Sequence, residues 1–376
     1  MTYNFRGVVI DNGSGTCKAG FVGQHSPSTI FSTVVGHPRQ LERWSERGLK
    51  DTYIGNEVIN KRDFLTLGYP VERGFITNWD TMEKVWHHTF YNGLRVDPEE
   101  YSVLLSEVPL NPKENKEKMA QIMFETFKVP SIFVAMQAVL AMYSTGYTTG
   151  VVLDSGHGVS HTVPVFHGFP LNHAIKRLDV GGRDLTEHLM KMLNERGDAF
   201  MTESTRKDAI KIKETLTYVA LHFTTEMDNS LNDPSLEKQY ELPDGQIITL
   251  GTERFRCSEG LFNPSLTGVE APGIQSAMFD SVQKCDVDMR RDMYGNILLS
   301  GGSTMFPGFS DRLRVELLEK VPPSLQINIK APTERNHSVW IGGSVLASLE
   351  EFRDMFIAKS EYDETGPCVV HSKCFI

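Results

Sequence analysis

The chain has 376 residues, 40% hydrophobic and 23% charged, the balance of a folded globular protein; this excludes disorder and collagen-like or coiled-coil fibres as the main architecture. One hydrophobic core rarely grows beyond about 250–300 residues, so the length suggests two domains, or three. With 38 Lys+Arg against 48 Asp+Glu the formal net charge is −10, which repels nucleic acid and anionic membranes as general partners.

Val8-Val9-Ile10-Asp11-Asn12-Gly13-Ser14-Gly15 is an apolar run followed by an aspartate and a glycine-rich turn, and it continues as Thr16-Cys17-Lys18-Ala19-Gly20-Phe21. The spacing predicts a buried strand, a tight turn and a second strand. The stretch Arg39–Asp51, charged and without period, reads as an exposed loop. Asp80-Thr81-Met82-Glu83 has capping-box spacing and precedes an apolar face of Met82, Val85, Trp86 and Phe90. Met119, Ile122, Met123 and Phe127 form a second helical stripe. Gln137 interrupts the apolar segment Ile132–Tyr143, read as a helix from Val134 and too short to span a bilayer.

Val151-Val152-Leu153-Asp154-Ser155-Gly156-His157-Gly158 then repeats the first motif, leading through Val159 into a second strand-like run. Leu185, Leu189, Met192 and Leu193 predict a third amphipathic helix, and Ile212, Leu216, Val219 and Phe223 a fourth. Asp228–Gln239 reads as another exposed loop. Ile297-Leu298-Leu299 leads into a Gly-Gly turn at Gly301 and Gly302, and Val339-Trp340-Ile341 leads into Gly342-Gly343 and a helix. Strands alternating with helices indicate an α/β fold with mixed sheets, and the repeated motif indicates duplicated halves facing each other. Five scattered cysteines, Cys17, Cys257, Cys285, Cys368 and Cys374, without metal-ligand spacing read as free thiols of a reducing compartment. No signal-peptide stretch fits the first residues, so a soluble cytosolic protein is expected.

A glycine turn leaving a buried strand lets backbone N–H groups approach phosphate oxygens. Two facing turns would grip a polyphosphate, with Ser14, Gly15 and Thr16 on one side and Gly156, His157 and Gly158 on the other, and with Lys18 as a point charge. Asp11 and Asp154 would meet across the cleft, bridged by a hydrated Mg²⁺; the plainer alternative is that both cap their turns. Gln137 is either a buried glutamine bonded to backbone or the residue that orients an attacking water. His161 would accept that water's proton at a near-neutral pKa, or is structural.

Over nearly its whole length the chain closely resembles the actin family. The matching segments include Asp11–Gly20 (DNGSGTCKAG), Met82–Asn92 (MEKVWHHTFYN), Met119–Phe127 (MAQIMFETF), Thr148–Gly156 (TTGVVLDSG), Gly182–Thr186 (GRDLT), Glu253–Cys257 (ERFRC), Leu299–Gly302 (LSGG), Val339–Ser344 (VWIGGS) and the ending from Val370 to Phe375. The resemblance implies a two-lobed actin-like ATPase fold of duplicated ribonuclease-H-like domains, each on a five-stranded sheet, closing over ATP or ADP and Mg²⁺ (or Ca²⁺). The first lobe would span 1–144 plus 338–376, with 33–69 as its small outer subdomain carrying the 40–50 loop. The second would span 145–337, with 181–269 as its small outer subdomain. Carried over by position, Ser14, Gly15 and Lys18 face Gly156, Gly158 and Val159 across the phosphates. Asp11, Gln137 and Asp154 hold the cation through water, and Gln137 and His161 arrange the attacking water. Gly182, Lys213, Glu214, Gly302, Met305 and Phe306 match the nucleoside pocket, Lys213 and Glu214 lying on the polar side of the fourth stripe. Tyr143, Gly146, Thr148, Leu346, Leu349 and Met355 match the groove that receives helices of actin-binding partners.

The departures from the family pattern fall in functional places. His157 replaces an acidic residue of the second phosphate turn, Arg73 a histidine, Asn336 a lysine and Ile210 an arginine. The self-assembly loop from Gln40 through Trp44 to Lys50 carries Glu42, Arg43, Glu46 and Arg47 where the family loop is partly apolar, a costly set of charges to bury unpaired. The Leu266-Thr267-Gly268-Val269 tip is less apolar, Gln24, His25 and Ser28 replace charged positions, and the acidic tail that engages myosin is absent, so ordinary myosin binding is not expected. The leading expectation is a cytoplasmic, cytoskeletal, slowly hydrolysing ATPase that assembles into filaments under nucleotide control. Its alternative is a non-polymerising scaffold subunit of a larger complex; a small-molecule kinase finds no acceptor-activating base beyond the water-positioning pair.

Overall fold

The computed structural model describes residues 5–39, 50–59, 61–200, 202–230 and 233–376. Strand β1 (Gly7–Asn12) is buried along its whole length, since its Gly-Val-Val-Ile run is apolar on both faces, the pattern of a strand covered from two sides. It turns into antiparallel β2 (Thr16–Phe21) in a register that sets Asp11 opposite Lys18. On its other side β1 pairs in parallel with β3 (Ser102–Glu107), which pairs in parallel with β4 (Ser131–Met136). Thr29–Ser32 and Ile357–Ala358 form the edges of this six-stranded sheet.

The second apolar run repeats the plan. Strand β5 (Gly150–Ser155) turns into β6 (Ser160–Phe166) with Asp154 opposite His161, and pairs in parallel with β7 (Ile297–Ser300). Phe169–Pro170, Lys176–Leu178 and Ile329–Lys330 complete a second six-stranded sheet. The position facing the aspartate is thus Lys18 in one hairpin and His161 in the other. The mixed α/β architecture is the one expected, with one strand more per sheet than the five implied by resemblance.

Helix α1 (Trp79–His87) buries Met82, Val85 and Trp86, but its cap is Asn78, whose side chain accepts from the Thr81 N–H; Asp80 is already helical. Lys113–Gln121 continues into a π-turn over Ile122–Thr126, burying Met119, Ile122 and Met123. Helix α2 (Gln137–Tyr143) begins at Gln137 itself, because the apolar residues before it belong to β4. The glutamine therefore stands at a strand–helix junction, not on the side of a helix starting at Val134. Helix α3 (Gly182–Arg196) buries Leu185, Leu189, Met192 and Leu193. Helix α4 (Glu203–Leu216) stops where Thr217 becomes extended and turns its hydroxyl onto the Lys213 carbonyl. Val219 lies beyond it and Phe223 opens the next helix, Phe223–Ser230, so the fourth stripe is not one element.

Helix α5 (Ser338–Ser348) absorbs both Val339-Trp340-Ile341 and Gly342-Gly343. A Cβ on Gly342 would stand 1.6 Å from the Leu140 carbonyl oxygen, so only glycine lets α5 lie this close to α2. The stretch read as a loop over Asp228–Gln239 is partly regular, since Lys238–Glu241 pairs with Ile247–Leu250. Two large cores result. One gathers Val8, Ile10, Leu104, Phe133 and Trp340, and the other Val151, Leu153, Leu185, Tyr294 and Phe309. Among the described residues no helix is long and apolar enough to cross a membrane.

Candidate functional site

Asp11, the last residue but one of β1, is 3% exposed. Its Oδ2 accepts from Lys18 Nζ at 2.9 Å, and its Oδ1 accepts from Ser106 Oγ at 2.8 Å and Gln137 Nε2 at 3.3 Å. Burial pulls the Lys18 pKa down, but the charge and hydrogen bond of Asp11 outweigh it and hold the ammonium above its ordinary value. Ser106 also accepts from the Asn12 N–H at 3.0 Å and from Gln137 Nε2 at 3.3 Å. The first turn is fixed by Thr33, whose hydroxyl donates to the Gly13 carbonyl and whose N–H donates to that of Gly15. Ser14 Oγ accepts from the Gly74 N–H at 2.9 Å.

The second turn is fastened to the start of α3. The Gly182 and Arg183 N–H groups donate to the Gly156 and His157 carbonyls at 2.9 and 2.7 Å, and Ser303 Oγ donates to the Gly156 carbonyl at 2.8 Å. The two turns touch. A Cβ on Gly15 would stand 2.7 Å from His157 Cβ, and one on Gly158 would stand 3.0 Å from Ser14 Oγ. Asp154 lies close enough to feel both Asp11 and Lys18; burial raises its pKa most, a Ser300 hydrogen bond opposes this, and the Asp11 charge adds to it.

Both histidines are pushed below the ordinary imidazole pKa, His161 more firmly because it is the fully buried one. His157 keeps an exposed edge, yet burial and the cations of Lys213, Arg183 and Arg206 draw its pKa below the imidazole range. His161, 1% exposed, is drawn down to about 3 by burial and by Arg177. The expectation of a near-neutral proton acceptor at His161 therefore fails, because the β6 interior cannot solvate an imidazolium. Its buried Nε2 has no partner among the described residues and can accept a hydrogen bond.

Of the nucleoside-side residues, Lys213 is buried, not on a polar face: Nζ donates to the Gly182 carbonyl at 2.8 Å and to Thr186 Oγ1 at 3.0 Å. Burial lowers its pKa. A Cβ on Gly182 would come within 3.0 Å of Ser303 Oγ and 3.3 Å of that Nζ, whereas one on Gly302 would meet nothing within 4 Å. Gly182 and Ser303 thus adjoin the Gly156 carbonyl, with Lys213 on the Gly182 carbonyl beside them and an open side at Gly302. Met305 and Glu214 are exposed, and Phe306 packs into the second core. Thr16 and Val159 open β2 and precede β6, flanking the two turns.

Of the residues matched to the partner groove, Tyr143 is half-buried, Gly146, Thr148 and Leu349 are exposed, and Met355 is half-buried. Leu346 turns inward at 2% exposure, and Val345 takes its place outside. Phe169 and Phe375, both exposed, stack at 6.0 Å nearby. Lys50 pairs with Glu57 at 2.9 Å; Gln40, Trp44 and the loop charges Glu42, Arg43, Glu46 and Arg47 lie outside the described residues. Ser106, Thr33, Asp184 and Ser303 went unnoticed in the sequence. Only Ser303, within Ser-Gly-Gly-Ser, carried a turn pattern; the others act through strand pairing that brings distant segments together.

The arrangement brings two glycine turns, a lysine, two carboxylates and an orphaned imidazole nitrogen together at neighbouring strand ends, a set of groups that would suit a polyphosphate with a hydrated cation. A family model described as Actin matches residues 3–375.

Proposed function

The chain belongs to the actin family, and on that premise we propose that it binds ATP or ADP with Mg²⁺ (or Ca²⁺) between its two glycine turns, hydrolyses ATP slowly and assembles into filaments under nucleotide control. The observation that carries the reading is the contact of Gly15 with His157, which brings turns from two different sheets close enough to hold one phosphate chain. Members of this family are ATPases, and the residues present fit the group. Lys213 is buried without a carboxylate partner, His161 Nε2 is buried without a hydrogen bond among the described residues, and Gly302 leaves its side open.

The hydrogen bonds support the following division of labour. Backbone N–H groups of Ser14, Gly15, Thr16, His157, Gly158 and Val159 face phosphate oxygens, while the Gly156 N–H is spent on the Val159 carbonyl at 3.0 Å and Gly156 serves by shaping the turn; Lys18 adds charge held in place by Asp11. Asp11 has both oxygens occupied, so Asp11, Asp154 and Gln137 would reach the cation through its water shell. A bound divalent cation would neutralise the phosphate charge that builds up during transfer. Gln137 spends Nε2 on Asp11 and Ser106, so its Oε1 remains to accept a hydrogen bond from the attacking water, whose proton passes to a phosphate oxygen of the leaving group. His161 accepts a second hydrogen bond and orients that water, without storing its proton. Gly182, Lys213, Glu214, Gly302, Met305 and Phe306 form the nucleoside side, with 1–144 plus 338–376 as one lobe and 145–337 as the other. The surface of Tyr143, Gly146, Thr148, Val345, Leu349 and Met355 takes an apolar helix of a partner, and the protein works in the cytoplasm as a cytoskeletal subunit.

Sedimentation after addition of Mg²⁺ and salt, with electron microscopy and phosphate release in parallel, tests this. Pelleted filaments with released phosphate are expected; a protein that stays monomeric at high concentration counts against it. The charges at Glu42, Arg43, Glu46 and Arg47 favour a second reading, a non-polymerising scaffold subunit, which predicts a complex of fixed stoichiometry instead of filaments.

A further inference from the structure

We propose that Arg73 is a positioning residue: it latches the two glycine turns together across the cleft and sets how fast a bound nucleotide leaves, an inference that rests on nucleotide binding between those turns. Arg73 lies in the turn between strands Val71–Glu72 and Phe75–Ile76, in the half of the molecule that carries β1. Its φ of 48° is in the left-handed region, which a side-chain-bearing residue adopts only when its surroundings demand it. They do. The Arg73 carbonyl accepts from Arg177 Nη2 at 2.8 Å, and the Arg177 guanidinium lies 4.2 Å from the Phe75 ring centroid. The next residue, Gly74, donates its N–H to Ser14 of the first turn.

From this anchored backbone the guanidinium reaches into the other half. Its two terminal nitrogens donate to Asp184 at 2.6 and 2.7 Å, and one of them also donates to the Gly158 carbonyl at 3.0 Å. Asp184 in turn accepts from the Gly181 N–H at 2.8 Å, so the carboxylate that caps α3 is the one that receives Arg73. A Cβ on Gly158 would stand 3.3 Å from Arg73 Cα, which leaves no room for the turn to slide past. Ser14, Gly74, Arg73, Gly158 and Asp184 thereby form one chain of contacts from the first turn to the start of α3.

Separating the turns enough to free a phosphate chain breaks the forked ion pair and the Gly158 bond together. Only an arginine can make that set, because a lysine has no planar fork. The Arg73 side chain is 36% exposed, so salt screens the latch in part. Losing it speeds release by about tenfold, the scale of one charge-assisted hydrogen bond discounted for solvent.

The test loads wild type, Arg73→Lys and Arg73→Gln with a fluorescent ATP analogue, chases with excess ATP, and follows dissociation at low and high salt. Hydrogen exchange at the Gly74, Gly182 and Arg183 amides is measured on the same proteins without nucleotide. Release about tenfold faster in Arg73→Gln, intermediate in Arg73→Lys, and salt-sensitive only where the cation remains supports the latch. So does lost amide protection in Arg73→Gln. Wild-type release rate or wild-type protection in Arg73→Gln overturns it. A wild-type protein that binds no analogue yet shows Arg73-dependent protection rejects nucleotide binding while keeping the latch, so the two failures are told apart.

Discussion

Gly15→Ala places a methyl group between the two turns. Its Cβ would stand 2.7 Å from His157 Cβ and 2.8 Å from His157 Cγ, where ordinary contact begins at 3.4 Å, so the turns must part by at least 0.7 Å. His157 cannot simply retreat, because its carbonyl accepts from the Arg183 N–H at 2.7 Å and the turn is stitched to α3. Overpacking of this kind costs about 1–3 kcal/mol. A phosphate that loses one charge-assisted backbone bond costs about 1.5–3 kcal/mol of affinity, which is roughly tenfold to a hundredfold. The assay is fluorescence anisotropy of a labelled ATP analogue, with urea unfolding alongside. The substitution should weaken binding by at least about tenfold while the protein remains folded. His157→Gly removes the three atoms nearest the new methyl, so in that background Gly15→Ala should cost no more than about twofold, the usual limit of additivity. Unchanged affinity in the single variant, or an equal loss in both backgrounds, refutes the idea that the turns share one ligand.

Gln137→Ala should slow phosphate release by about 10²-fold or more with ATP affinity nearly intact, since its bonds to Asp11 and Ser106 are both long at 3.3 Å; an unchanged single-turnover rate removes Gln137 from the chemistry. The pKa of His161 is depressed in the folded state, to about 3 against about 6.5 unfolded. Its contribution to stability is therefore complete above about pH 6.5 and is lost as the pH falls towards 3, at up to about 1.4 kcal/mol per pH unit. Urea unfolding at pH 7 and pH 5 should show a smaller acid loss in His161→Gln than in wild type, and equal losses contradict this. Cys374 is 2% exposed, its Sγ accepts from the Val134 N–H at 3.3 Å, and burial pushes its pKa up to about 12. Cys17, Cys257 and Cys285 are buried too, and Cys368 alone is exposed. A thiol reagent on native protein at pH 7.5 should therefore label Cys368 in a fast phase and Cys374 only on unfolding, whereas rapid labelling at Cys374 means that this segment is not packed as described.

The strands that carry the site were legible because each is a short apolar run ended by an aspartate and glycines, a pattern local to a few residues. What lay beyond reach was pairing at long range. Nothing in Leu104-Leu105-Ser106 announces that Ser106 will stand beside Asp11, since that follows from β3 lying parallel to β1. Helix α5 was obscured by Gly342 and Gly343, which disfavour a helix by about 1 kcal/mol each; close approach to Leu140 and Val9 overrides that preference. Lys213 looked solvated on its stripe and is instead drawn inward by the Gly182 carbonyl and Thr186, a decision made by α3 packing on α4. His161 was given an ordinary imidazole pKa because burial cannot be read from a lone residue. The Arg73 latch was invisible for the same reason as Ser106, its partners lying more than 80 residues away.

Hydrogen exchange of the whole protein, with and without Mg·ATP, reads the clamp most directly. Nucleotide should slow exchange at Ser14, Gly15 and Thr16 and at His157, Gly158 and Val159 together, over the same concentration range. Protection confined to one turn, or to neither while nucleotide is bound, would show that the phosphates rest elsewhere.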